Sequence, residues 1–133
     1  MPPNNRSLKD VLIHARQVAA SLHHRYLGVE HTFIALIQHP NTPAHDALRS
    51  QGVGIQLLIT SIQRYTEIDT SRTLWEGHPH TPRLDVILGI AHDIALEDGR
   101  GENVVETDIW QAIQEEGESL PLHIIKRMKQ TLP

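Results

Sequence analysis

Cysteine is missing from the 133 residues. That excludes disulfides, thiolate metal sites and a cysteine nucleophile, and a reducing cytoplasm is the compartment such a composition suits. Lysine is scarce as well. Lys9, Lys126 and Lys129 follow Leu8, Ile125 and Met128, whereas a nucleotide-hydrolysing phosphate loop needs glycine before its lysine and Ser or Thr after it. The Gly-x-Ser-x-Gly elbow and the His-Glu-x-x-His helix are also missing, so neither common hydrolase nor zinc-protease chemistry has an anchor. The chain reads as a non-enzyme without a cofactor. No apolar run approaches the roughly 18 to 20 residues that span a bilayer, and the start Met1 to Asp10 lacks the apolar stretch of a signal peptide. The expectation is a soluble, unprocessed, cytoplasmic protein with no membrane partner. The 12 Lys and Arg are scattered singly and the net charge is -4, which leaves no electrostatic footprint for nucleic acid and too small an acidic excess for disorder.

What is present is one pattern written twice. Tyr26 to Gln38, slid by 76 residues onto Glu102 to Gln114, pairs Val29 with Val105, Glu30 with Glu106, Ile37 with Ile113 and Gln38 with Gln114 without a gap. Upstream of the first copy, Leu8, Val11, Leu12, Ala15, Val18, Ala19 and Leu22 form one stripe at helical spacing, and Leu84, Ile87, Leu88, Ala91, Ile94 and Ala95 repeat it at the same offset. The aligned alanines predict close approach of a neighbouring helix. A second helix follows in each copy (Phe33, Ile34, Leu36 and Ile37; Ile109, Trp110, Ala112 and Ile113), then a third (Ala44, Ala47 and Leu48; Leu120, His123 and Ile124). A fourth, Ile55 to Ile62, follows the breaker Gln51 to Gly54, and its counterpart would begin near residue 131. Without that counterpart, Ile124, Ile125 and Met128 are expected beside a partly open patch.

Thr81 before Pro82 is an N-cap signal, and Asn5 occupies the aligned position before the first helix. The fold class expected is all-α: about seven helices in a compact bundle of two pseudo-twofold-related copies. Residues 1–133 form one domain, with repeat one at about 5–64, a connection at about 66–80 and repeat two at about 81–130. Trp110, at helical spacing in the repeat, reads as core; Trp75 in the connection is less constrained. Ten histidines raise the possibility of a metal site, with His23, His24 and His31 or His78 and His80 closest together. Adjacent helical positions point apart, so these are read as surface histidines and no metal ligands are assigned.

The run from Val11 to Ile37, the helix ending in Ala47 to Val53, and His80 to Ala95 together resemble the double repeat at the N-terminus of the ClpA/ClpB/ClpC unfoldases, the Clp repeat domain. Gly28 to His31, "GVEH", stands for the family's G-T-E-H, and His80 to Arg83, "HTPR", for its Y-T-P-R. The likeness covers nearly the whole chain. It departs most in the second copy, where "VVETD" replaces G-T-E-H. The resemblance implies a recognition module that receives adaptor proteins or unfolded or marked substrate polypeptides for a Clp ATPase ring or its peptidase. The alternative is a stand-alone regulator that docks onto such a complex. It further implies two pockets for a phosphorylated arginine, in which a carboxylate grips the guanidinium and a helix start receives the phosphate. On this chain the pocket residues would be Asn5 with Glu30, and Thr81 and Arg83 with Glu106. The second pocket is expected to be the stronger, because Arg83 adds charge there. The plainer reading of both glutamates stays open beside this: each opens a helix, is favoured there by the macrodipole, and contributes about 0.3 to 1 kcal/mol.

Overall fold

The computed structural model describes residues 5–68 and 80–131. Seven helices build them: α1 (Leu8–Ser21), α2 (Val29–Ile37), α3 (Pro43–Ser50), α4 (Ile55–Ile68), α5 (Pro82–Glu97), α6 (Glu106–Glu116) and α7 (Leu120–Thr131). The all-α expectation holds; among the described residues the only β-type pairing is an isolated antiparallel bridge between Ser7 and Val105. The connection begins later than the sequence suggests, since α4 runs on to Ile68. Most of the expected linker, with Trp75 and His78, lies outside the described residues.

The first helix of each copy stops by the same device. α1 and α5 end at the aligned residues Ser21 and Glu97. The left-handed residues His23 (φ 60°) and Gly99 (φ 78°) then reverse the chain, and the N–H groups of His24 and Arg100 return to the carbonyls of Ala19 and Ala95, each at 3.0 Å. This is the Schellman arrangement, which satisfies carbonyls that a helix end leaves bare. The copies diverge further on. After α3 the chain turns at Gly52 (φ 79°) to start α4, whereas α7 continues through the aligned stretch, where Met128 and Gln130 stand in place of Gly52 and Gly54. Without glycine at the stop position the helix has no inexpensive left-handed exit.

The core is centred on α2, all nine of whose residues are buried. A helix buried on every face must be enclosed by neighbours, and α2 packs against α1, α3, α4, α6 and α7. α1 lies along α2 through Ala15 and Ala19, and α5 along α6 through Ala91 and Ala95, all of them buried. The copies also interlock, with α3 against α6 and α7 against α2 and α4. Trp110 is half-buried against this core, its ring 5.6 Å from that of Phe33. Ile124 and Ile125 are themselves buried on α7, which packs against α4 and α2. What remains of the open patch is a groove of about 270 Å³ lined by Ser61, Tyr65, Ile124, Arg127 and Met128. Among the described residues, no helix is long and apolar enough to cross a membrane.

Candidate functional site

The repeated glutamates lie at the starts of α2 and α6, and what meets them there differs from the pairing expected within each copy. Residues 5–7 run extended beside the approach to α6. The Glu106 N–H donates to the Arg6 carbonyl (2.8 Å) and the Leu8 N–H to the Val104 carbonyl (2.9 Å). Asn5 is therefore not the cap of its own helix. Ser7 is, its Oγ accepting from the Asp10 N–H (3.2 Å), while Asn5 Oδ1 accepts from the Thr107 N–H in the first turn of α6 (3.1 Å). Reciprocally, the Thr81 N–H donates to the Leu27 carbonyl (2.8 Å), which sets the start of α5 beside the lead into Glu30. Helix starts thus meet between copies: Asn5 belongs with Glu106, and Thr81 with the Glu30 end.

Glu106 is 1% exposed. Its carboxylate is held by Arg6 through Oε2 to Nη2 (3.1 Å), Oε1 to Nε (3.4 Å) and Oε1 to the Arg6 backbone N–H (2.9 Å). The rest of the guanidinium is used too. Nη2 also donates to the Ala35 carbonyl on α2 (2.9 Å), and Nη1 donates to His14 Nδ1 (3.0 Å). Arginine has no acceptor, so His14 Nδ1 must carry the lone pair; its Nε2–H then donates to Gln38 Oε1 (2.8 Å). Burial, joined by the Arg6 charge and His39 stacked at 5.2 Å, holds the His14 imidazole below its ordinary 6.5 despite the hydrogen bond to Gln38.

A base whose folded pKa is depressed gives stability that is complete above the unfolded value and is lost as pH falls below it toward the folded one. Stability contributed by neutral His14 should therefore decline as pH drops below 6.5. His14→Gln, which keeps an acceptor for Arg6 but does not titrate, should show a flatter dependence of melting temperature on pH between about 7 and 5. Parallel curves for parent and variant would remove His14 from the acid response.

Glu30 is buried at 3%, and the reason for glycine two residues before it lies in that carboxylate. Gly28 has φ -121°, which any residue adopts. A Cβ there, however, would stand 2.8 Å from Glu30 Oε1 and 3.0 Å from Oε2. Gly28 clears room for the carboxylate to lie back over the helix start, and the aligned position in the other copy is Val104. Arg83, expected to add charge beside Glu106, instead pairs with Glu116 at the far end of α6. In the first turn of α5 Pro82 has no N–H and the Leu84 N–H is taken by Thr81 Oγ1 (3.3 Å).

The histidine missing after Glu106 is replaced one position along. In α2 the Gly28 N–H donates to His31 Nδ1 (3.0 Å), and His31 Nε2 meets His24 Nδ1 at 2.8 Å. In α6 the Val105 N–H donates to Asp108 Oδ2 (2.9 Å), and Asp108 takes the fork of Arg100 at 2.7 and 2.6 Å. His24 and Arg100 are aligned in the repeat, so each copy braces its third-residue cap from the preceding loop, once with imidazoles and once with an ion pair. The surface reading of the histidines fails at His31, which is fully buried. Among the described residues, no group of three or more His, Asp or Glu is placed to hold a metal ion. Sequence reasoning missed Arg6, His14, Arg100 and Asp108. Arg6 is adjacent to Asn5, but its partner lies 100 residues away in the other copy, where spacing within a copy gives no signal.

With this geometry in place, one match to known families can be weighed: the Clp repeat (R) N-terminal domain fits residues 5–128, nearly the whole chain.

Proposed function

Because the chain belongs to the Clp repeat N-terminal domain family, we propose that this Clp-type N-terminal module is a non-catalytic, cytoplasmic binding domain that receives substrate polypeptides or adaptor proteins for a Clp ATPase or peptidase. Residues 5–64 and 81–130 would be its two repeats. The observation that carries the reading is the way Glu106 holds Arg6: a buried carboxylate at a helix start, gripping the fork of an arginine. Bidentate, charge-assisted contacts of this kind select arginine over lysine. Glu30 holds the same repeat position, and Gly28 leaves its carboxylate room. Thr81 at the adjoining helix start would face the phosphate of a phosphorylated arginine.

Titrating a phosphoarginine peptide into the protein tests this. Binding is expected in the millimolar range or tighter, with Glu30→Gln weakening it at least about tenfold, the loss of one charged hydrogen bond. Gly28→Ala should weaken binding similarly by displacing the carboxylate, while the helical circular dichroism stays unchanged. No detectable heat at millimolar ligand, or binding indifferent to both changes, would remove the pocket and leave Glu30 as a helix-start residue.

A further inference from the structure

The Arg6 side chain sits in a socket made by elements from both copies. Its walls are the Glu106 carboxylate at the start of α6, the Ala35 carbonyl on α2 and the His14 imidazole on α1. All three present acceptors, and they take contacts from Nε, Nη1 and Nη2 together. An ammonium group has no fork to span these positions. The occupant arrives on the short extended segment 5–7 rather than on a helix, tied down by the Asn5–Thr107, Arg6–Glu106 and Leu8–Val104 hydrogen bonds. Its side chain is 23% exposed, whereas that of Glu106 is 1% exposed. The residue that closes the socket is thus more exposed than the carboxylate it covers.

We propose that the Glu106 site is a guanidinium-binding socket occupied in cis by Arg6, so that residues 5–7 act as a built-in competitor and an arginine from a second polypeptide enters only when that segment is displaced. The copy expected to bind more strongly thus holds Arg6 as a resident ligand, and Glu106 responds to a partner only at concentrations that outcompete Arg6. The identity of the partner rests on the binding function proposed above; the chemistry of the socket does not.

The test uses methylguanidinium, with methylammonium as control. The Arg6→Ala variant should melt below the parent and be raised toward it by methylguanidinium in the tens of millimolar, while methylammonium has no such effect. The parent, whose socket is filled, should not respond. The double change Arg6→Ala with Glu106→Gln should lose most of the rescue. Equal responses in parent and Arg6→Ala, or rescue that survives Glu106→Gln, would overturn the socket. Should Arg6→Ala fail to fold, Arg6→Lys supplies the same comparison, since it keeps the charge and stem without the fork; absence of rescue in both variants would also overturn the socket. Because no peptide is involved, these outcomes are independent of whether phosphoarginine binds at Glu30. The peptide result is read separately: Arg6→Ala should raise the stoichiometry of phosphoarginine binding by one over the parent.

Discussion

Glu106→Ala should destabilise the protein by about 3 kcal/mol, several times what a carboxylate gains from the helix macrodipole alone. Removing one member of a buried pair leaves the other without compensation. Here the change strips Arg6 of three contacts, from Nε, Nη2 and its own backbone N–H. The low end of the usual 3 to 5 kcal/mol range applies, because the Arg6 side chain is 23% exposed and can recover some hydration. Glu106→Gln keeps an oxygen for the backbone N–H and one partner for the fork, and should lose about half as much. Chemical denaturation of the three proteins provides the check. A loss under about 1 kcal/mol for the alanine variant would return Glu106 to the plain helix-start role.

How legible this was in the sequence depends on whether the information is local. The helices were legible because their stripes recur at 3.6-residue spacing and again 76 positions later. Thr81 was legible as a cap because Pro82 follows it, and it does bond the Leu84 N–H. Asn5 was misread for an instructive reason. The alignment correctly made it equivalent to Thr81, but α1 begins two residues later than its counterpart would, since residues 5–7 are drawn out against the approach to α6. A competing tertiary hydrogen bond decided where the helix starts. The glutamates were found by repetition alone, whereas their partners depend on which helix starts the packing brings together. Duplicated copies that interlock exchange neighbours, so the spacing of 25 residues between Asn5 and Glu30 indicated a pairing that the fold distributes across copies.

The same exchange of local roles yields the second large effect, at Asp108. This residue is 3% exposed and does two jobs: it accepts the Val105 N–H as the third-residue cap of α6, and it receives both arms of Arg100. Asp108→Ala should therefore cost about 2 to 3 kcal/mol, a lost cap near 1 together with a broken charge-assisted fork. Arg100→Ala should cost less, since the cap survives. The double variant should cost less than the sum of the two, which a double-mutant cycle would read directly. The Asp108 brace also has a stated response to acid. Burial by itself would raise the Asp108 pKa, but the Arg100 hydrogen bonds and the Val105 N–H outweigh it and hold the carboxyl below its ordinary 3.8. A depressed carboxylate gives stability that is present above the unfolded value and lost only as pH falls through the lower folded one. The Asp108 brace should thus survive down to about pH 4. Amide hydrogen exchange followed from about pH 7 to 4.5 should accordingly show Val105 and the first turn of α6 staying protected throughout. Loss of that protection within this range would remove Asp108 as the brace of the α6 start.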